Sequence, residues 1–99
     1  MTPTEASEPK PVWTVEFDDR ARRELRKLDA NVQQTILQYL RERIAVAEDP
    51  RRFGKPLRRN LAGLCRYRIG DYRLICRIED ERIVVLVLQV GHRSEIYED

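Results

Sequence analysis

Arginine is the residue type with the clearest capacity for chemistry, and it is concentrated in one segment of the chain. Between Arg51 and Arg77 there are nine basic residues and one acid, Asp71, so these 27 residues carry a net charge of +8, whereas the whole 99-residue chain carries +2. A segregated basic segment indicates a polyanionic partner, of which nucleic acid is the commonest. The alternative is a solvated surface whose arginines pair with acids from elsewhere in the fold. The basic residues are Arg51, Arg52, Lys55, Arg58, Arg59, Arg66, Arg68, Arg73 and Arg77.

Part of this segment is predicted to form a β-hairpin. Residues 64–69 and 72–78 alternate between apolar and polar side chains on either side of Gly70-Asp71, and a two-residue loop that begins with Gly favours a type II′ turn. Counting outward from the turn places Arg68 opposite Arg73. The face expected to lie against the core carries Cys65, Tyr67, Ile69, Tyr72, Leu74, Cys76 and Ile78, and the other face carries Arg66, Arg68, Arg73, Ile75 and Arg77.

The arginine-bearing face breaks a rule of sheet stability. Like charges directly opposite each other destabilise a sheet, so Arg68 opposite Arg73 requires either a bound anion or side chains that splay into solvent. Guanidinium groups suit phosphate because their planar fork donates two parallel hydrogen bonds. We interpret this face as a phosphate-binding surface, with a solvated sheet face as the alternative.

Other chemistry is limited by the residue types present. Cys65 and Cys76 lie opposite each other at a hydrogen-bonded pair, where side chains are farther apart, so we predict buried free thiols rather than a disulfide. The sequence has no secretory signal, and no apolar stretch approaches the roughly 20 residues that span a bilayer, which predicts a cytoplasmic protein without a membrane partner. A single histidine and the lack of a Cys/His cluster argue against a zinc centre.

Residues near the end of the chain could complete a phosphate site. After an apolar strand predicted over Arg82–Val90, Gly91 permits a sharp exit, so the polar residues after it are expected at the edge of the sheet. Arg93 is a second candidate for phosphate binding. His92 could move protons, although a lone histidine in a loop is commonly inert. Tyr97 either contributes its phenol or packs against the helices.

The rest of the chain supplies the elements that must position these residues. Residues 1–11 are predicted to be a disordered tail and residues 12–99 a single domain. Alternation predicts a strand over Val12–Phe17, a helix capped by Asp18 or Asp19 then runs to about Leu28, and a longer helix opens at Asp29 and ends before Pro50. The order β-α-α-β-β-β predicts an α+β fold with the helix pair packed on one face of the sheet. The apolar stripe of the longer helix is Val32, Ile36, Leu40, Ile44 and Ala47, with Leu37 beside it.

Three stretches of this sequence resemble the RelE/ParE superfamily of toxins from bacterial type II toxin–antitoxin systems, and most closely its RelE branch. They are VEFDDRARRELRKLD, the basic stretch KPLRRNLAGLCRYRIGDYRLICRIED and the ending VVLVLQVGHRSEIY. The similarity covers residues 12–97, and the three stretches occur in the order that the family has. The resemblance implies the same α+β fold.

The resemblance also implies a ribosome-dependent endoribonuclease that cuts messenger RNA in the ribosomal A site without a metal or another cofactor. In that reaction the 2′-hydroxyl attacks the adjacent phosphodiester and leaves a cyclic phosphate and a free 5′-hydroxyl. By family position, Arg73 resembles the arginine that holds the scissile phosphate, Arg93 one that stabilises the transition state or assists the leaving group, and Tyr97 a tyrosine that stacks on the message. Further contacts to RNA phosphates are expected from Arg66, Arg68, Arg77, Lys55, Arg58 and Arg59.

Arg66 and Arg68 occupy positions where the best-studied family member has lysines. Arginine keeps the charge, but its ordinary pKa of about 12.5–13.8 prevents general-base work, so Tyr97 or ribosomal RNA would take that role. Two other functions stay open: a ParE-like inhibitor of DNA gyrase, and a toxin relic that only binds its antitoxin. The partners implied are a cognate antitoxin in a hetero-oligomer, the ribosome and messenger RNA.

Overall fold

The computed structural model describes residues 10–57 and 63–96 and shows a five-stranded mixed sheet with two helices packed on one face. The strands are β1 (Thr14–Phe17), β2 (Lys55–Pro56), β3 (Leu64–Ile69), β4 (Tyr72–Glu79) and β5 (Val84–His92), and the helices are α1 (Asp19–Arg26) and α2 (Ala30–Tyr39). The order in the sheet is β1-β5-β4-β3-β2, with β1 parallel to β5 and the other neighbours antiparallel. The predicted α+β class is confirmed, and β2 is an additional short strand. In the described part of the chain, no helix is long and apolar enough to cross a membrane.

The core lies between the helix pair and the inner face of the sheet. In α1, Ala21 and Leu25 are buried, and Asp18 caps the helix by accepting a 2.8 Å hydrogen bond from the backbone N–H of Ala21. The predicted core face of the hairpin is confirmed, since Tyr72 is partly buried and its other members are buried. Leu37, expected beside the apolar stripe of the longer helix, is 40% exposed and contributes little to this core.

The longer helix ends differently from the prediction. It continues after α2 as one wider, π-helical turn over Leu40–Ile44, in which the backbone N–H of Ala45 donates to the carbonyl of Leu40 at 2.8 Å. The carbonyl of Ala45 in turn accepts hydrogen bonds from the N–H groups of Val12 and Trp13, at 2.7 and 2.9 Å. Because these two residues bond to the end of the helix rather than to β5, β1 starts later than the predicted strand.

The strand predicted over Arg82–Val90 is displaced towards the C-terminus. β5 begins only after Ile83, because Ile83 has a left-handed backbone with a φ of 53° and closes the turn from β4. At the other end the strand continues through Gly91 and His92, so the sharp exit predicted at Gly91 is wrong and the chain leaves the sheet after His92. The first helix also ends earlier than predicted.

The left-handed backbone of Ile83 leads to a prediction, because this conformation is strained for a β-branched residue. Its side chain is 47% exposed, so burial compensates for little of the strain. Replacing Ile83 with Asn, which tolerates the conformation, is expected to raise the free energy of unfolding by about 1 kcal/mol. Chemical denaturation of the wild type and I83N measures the change. A lower free energy of unfolding for I83N would show that the Ile83 side chain stabilises the fold.

A buried hydrogen bond ties the short 3-10 helix over Pro50–Phe53 to the sheet and leads to a second prediction. Tyr67 of β3 is fully buried, and its hydroxyl donates to the carbonyl of Pro50 at 2.7 Å. Burial raises the pKa of the Tyr67 phenol, so the hydroxyl stays protonated as a donor. Tyr67→Phe leaves the carbonyl without this partner and is expected to lower the free energy of unfolding by about 2 kcal/mol. Thermal unfolding measures the loss, and an unchanged midpoint would contradict this role.

Candidate functional site

The β3–β4 hairpin has the register predicted from the sequence. Arg68 pairs with Arg73 and Cys65 with Cys76. Gly70 has a φ of 58°, and Ile83 is the only non-glycine residue in the described ranges with a positive φ, so the turn at residues 70–71 is of the predicted II′ type. The cations that alternate onto the outer face of β2, β3 and β4, away from the helices, form what we call the basic face: Lys55, Arg66, Arg68, Arg73 and Arg77.

The short strand β2 brings Lys55 into the basic face. Lys55 pairs with Arg66 in the β2–β3 register, so both side chains project from the same side of the sheet. The sequence analysis predicted no strand at Lys55, because a strand of two residues is too short to show alternation. The position of its pairing partner Arg66 on the outer face could be predicted, because Arg66 belongs to the β3–β4 hairpin.

Arg68 and Arg73 place two like charges directly opposite each other. Counting outward from the turn makes theirs a non-hydrogen-bonded pair, in which side chains approach more closely. Arg73 is 8% exposed, and its Nη1 donates to the carbonyls of Gly70 and Tyr72, both at 3.0 Å. Arg68 is exposed. The turn therefore fixes one guanidinium of the pair and leaves the other in solvent.

Arg66 lies low against the sheet, since it too is 8% exposed. Ile75 of β4 pairs with Arg66 on the outer face and is 3% exposed. It lies two residues along β4 from Arg73. Aliphatic stems of arginine commonly cover apolar side chains in this way. An apolar residue in the middle of the basic face thus favours arginines that lie along the sheet rather than extend into solvent.

An irregularity in β5 determines what lies beside Arg73. β4 and β5 pair through a bulge that leaves Leu88 as an extra residue on β5. Regular pairing would place Val90 opposite Arg73, whereas the bulge places Gly91 there. A Cβ at Gly91 would approach the side chain of Ile96 to 3.1 Å, so the glycine makes room for the turn that follows β5.

Arg93 lies at the same end of the sheet as Arg73. Its backbone N–H donates to the carbonyl of Asp71 at 2.7 Å, which continues the pairing of β5 with the hairpin. Its Nε lies 4.0 Å from a carboxylate oxygen of Asp71. Because Arg93 follows Gly91 by two residues in this pairing, alternation places its side chain on the side of the sheet that carries Arg73. The structure therefore brings the two predicted phosphate-binding arginines to one corner.

Arginines engage acids on this side of the sheet, and one of these acids, Asp71, lies at the corner itself beside Arg93. Glu16 of β1 and Glu79 of β4 both form ion pairs with Arg82, and the Arg82–Glu16 distance is 3.2 Å. Arg51 donates to both carboxylate oxygens of Asp80, at 3.1 and 2.6 Å, and this lowers the pKa of Asp80. Pairing with acids from elsewhere in the fold, the alternative interpretation of the basic segment, is therefore confirmed at Arg51.

The two cysteines are buried free thiols, as predicted. Burial raises the pKa of both Cys65 and Cys76, so the thiolate is disfavoured at neutral pH and neither residue is suited to act as a nucleophile. Within residues 10–57 and 63–96, no three His, Cys, Asp or Glu side chains are grouped as potential metal ligands.

His92 does not join the basic face. It pairs with Tyr72 in the β4–β5 register, and the two rings pack edge to face with centroids 5.6 Å apart, on the side of the sheet that carries the helices. Residues 1–9 of the predicted tail, Arg58, Arg59 and Tyr97 lie outside the described residues. Their predicted roles stay predictions.

Comparison with known proteins identifies the class to which this arrangement belongs. A model of the family described as the ParE toxin of the type II toxin–antitoxin system parDE matches residues 15–97. The chain belongs to the RelE/ParE superfamily of type II toxins. Toxin RelG of Mycobacterium tuberculosis is 42% identical to it over 85 residues, covering 86% of this chain and 95% of RelG. The mRNA interferase toxin RelE of Escherichia coli is 35% identical over 94 residues, covering 88% of this chain and 92% of that toxin.

Solved structures of RelE toxins share the fold as well as the sequence. The toxin–antitoxin complex RelBE2 of M. tuberculosis contains a chain that is 40% identical, with a TM-score of 0.75 over 89% of this chain and 98% of that one. In this RelE/ParE chain, the stretches that carry the resemblance form β1 with α1, the basic face, and β5 with the turn of Arg93. Two of these three stretches therefore contribute residues to the candidate site.

Proposed function

We propose that this toxin is a ribosome-dependent mRNA endonuclease whose active site is the corner of the sheet that holds Arg73 and Arg93. The observation that supports the proposal is that these two arginines lie at the same end of the sheet. Hydrogen bonds to Gly70 and Tyr72 hold Arg73, and the backbone bond of Arg93 to Asp71 lies at the same end of the sheet. The mRNA interferase activity named for the E. coli relative supports the reaction class.

The proposed reaction needs positioning and charge more than it needs a cofactor. The 2′-hydroxyl attacks the phosphorus of the adjacent phosphodiester, the bond to the 5′-oxygen breaks, and a 2′,3′-cyclic phosphate and a 5′-hydroxyl form. Negative charge grows on the phosphoryl oxygens in the transition state, where fixed guanidinium groups stabilise it. We assign Arg73 to the scissile phosphate, and Arg93 to the transition state or the leaving 5′-oxygen.

The proton of the 2′-hydroxyl requires a base other than the arginines of the basic face. Arginine stays protonated, so Arg66 and Arg68 bind phosphate and do not accept that proton. Tyr97 and ribosomal RNA are the candidate bases. Contacts from Lys55 and Arg77, and from Arg58 and Arg59, would position the RNA backbone without reading its sequence.

We further propose that a cognate antitoxin holds this toxin inactive in a hetero-oligomer. Two structural relatives were solved as such complexes, RelBE2 of M. tuberculosis and the intact RelBE of E. coli, whose matching chain is 31% identical with a TM-score of 0.66 over 81% of this chain and 95% of that chain. An acidic antitoxin segment laid on the basic face would exclude RNA by occupying the phosphate-binding guanidinium groups.

The test is cleavage of a defined message by the purified toxin, with and without ribosomes. The proposal predicts cuts only in the presence of ribosomes programmed with the message, with a 2′,3′-cyclic phosphate on one product and a 5′-hydroxyl on the other. Intact message in both reactions, together with loss of gyrase supercoiling activity, would overturn it in favour of the gyrase-directed function.

A further inference from the structure

The turn that follows β5 is built on His92, to which the proposed function assigns no role. Three consecutive backbone N–H groups are satisfied by this one residue. Ser94 donates to Nδ1 of the imidazole at 3.1 Å, and Glu95 and Ile96 donate to the carbonyl of His92 at 2.8 and 3.2 Å. The hydroxyl of Ser94 also lies 2.9 Å from Nδ1.

This is the hydrogen-bond pattern of a helix N-cap. In such a cap, a side-chain acceptor takes the N–H of the second or third residue that follows, and Asn, Asp and Ser are the usual capping residues. His92 does this with a ring nitrogen. Because the backbone N–H of Ser94 can only donate, Nδ1 is the acceptor of this bond, and the tautomer that accepts it has its ring proton on Nε2.

The sheet fixes both ends of this turn. At its start, Arg93 donates its backbone N–H to the carbonyl of Asp71 at 2.7 Å. At its end, Ile96 is buried and packs against Gly91. The edge-to-face contact with Tyr72 holds the ring of His92 itself. Between these anchors, the bond from Ser94 to Nδ1 is the side-chain contact that closes the turn next to Arg93.

We propose that His92 is a positioning residue for Arg93, acting as the cap of the turn that carries it. The inference rests on the proposed function, which gives Arg93 a phosphate to bind. The imidazole lies on the helix side of the sheet and does not touch the substrate. Loss of the cap frees the Ser94 N–H and the backbone around Arg93, and a misplacement of about 1 Å in a catalytic group can cost roughly 100-fold in rate.

Three substitutions in the full-length toxin distinguish loss of the hydrogen-bond acceptor from a change in side-chain volume. His92→Leu removes the acceptor and is expected to lower kcat for ribosome-dependent cleavage by about 10- to 100-fold with little change in KM. His92→Asn supplies a carboxamide oxygen in the capping position and is expected to stay within about threefold of wild type. Ser94→Ala removes the hydroxyl contact to Nδ1 but keeps the backbone N–H that the cap binds, so a rate close to that of the wild type is expected.

Coupling to Arg93 distinguishes positioning from a general loss of stability. In an Arg93→Ala background, His92→Leu is expected to cause no further loss, because the group that it positions is gone. NMR tests the cap independently of catalytic activity. We expect slow exchange of the Ser94 amide in wild type and H92N, and an unprotonated Nδ1 at His92 in the wild type. In H92L, we expect loss of both the slow exchange and the order of the Arg93 backbone.

Three results would overturn the inference: equal losses of activity in H92N and H92L, a full additional loss in the Arg93→Ala background, or a fast-exchanging Ser94 amide in the wild type. A wild-type toxin that cleaves no message contradicts the proposed function instead. In that case the NMR comparison of wild type, H92N and H92L still decides whether His92 fixes Arg93.

Discussion

Arg73→Ala is expected to lower the rate of ribosome-dependent mRNA cleavage by about 100- to 1000-fold and to abolish toxicity in growing cells. The loss is large because Arg73 is held before substrate arrives, by hydrogen bonds from Nη1 to the carbonyls of Gly70 and Tyr72. A charge fixed in this way stabilises the transition state without reorganisation at the moment of reaction. The rate of message cleavage on programmed ribosomes measures the effect.

Two further variants separate the chemistry of Arg73 from its structural role. Arg73→Lys keeps the charge but loses the planar fork, so an intermediate rate is expected. Arg51→Ala is the matched control, because Arg51 belongs to the same basic segment but pairs with Asp80, and a wild-type rate is expected. Thermal unfolding of each variant shows whether the hairpin turn is retained. Equal losses of cleavage rate in Arg51→Ala and Arg73→Ala would contradict a phosphate site at the turn. They would indicate that the total positive charge of the segment determines the rate.

Gly54→Ala is expected to lower the free energy of unfolding by about 3 kcal/mol. Gly54 precedes β2, where its backbone passes close to β3. A Cβ there would lie 2.3 Å from Sγ of Cys65 and 3.0 Å from the carbonyl oxygen of Arg66, so the strands must move apart. The backbone of Gly54 is extended, so the cost comes from contact and not from conformation. Urea denaturation measures the loss.

Gly63→Ala is the control for this substitution. At Gly63 a Cβ would meet no atom within 4 Å, but the φ of 75° disfavours alanine, so a loss of about 1 kcal/mol is expected. Adding Cys65→Ala to Gly54→Ala removes the nearest contact and should recover part of the stability. A Gly54→Ala protein as stable as wild type would show that β2 is not packed on β3 as described.

Local sequence rules were sufficient to predict the register of the hairpin, but not its pairing with the neighbouring strand β5. The register from Cys65–Cys76 to the turn was predictable because a two-residue loop at Gly70 leaves no freedom in the pairing. The bulge at Leu88 was not, since Gln89 is the only polar residue in the sequence from Val84 to Val90 and alternation carries almost no signal there. The position of Gly91 opposite Arg73 depends on that bulge. The corner of the candidate site therefore follows from strand pairing that only the structure reveals.

The helix end and the last turn were missed for similar reasons. The π-helical turn over Leu40–Ile44 continues an apolar stripe that is equally compatible with an ordinary helix. Ile83 has a low propensity for the left-handed backbone that it adopts, so its turn could not be placed from residue type. The cap at His92 gave no signal either, because histidine is not among the usual capping residues.

A nuclease centred on Arg73 is tested by mapping mRNA 5′ ends in cells, shortly after induction of wild type, Arg73→Ala and Arg51→Ala. We expect cuts inside translated codons for the wild type and Arg51→Ala, and none for Arg73→Ala. Growth arrest by the wild type with intact messages would contradict a nuclease and direct attention to gyrase. Cuts that persist in Arg73→Ala would contradict the placement of the active site at this corner of the sheet.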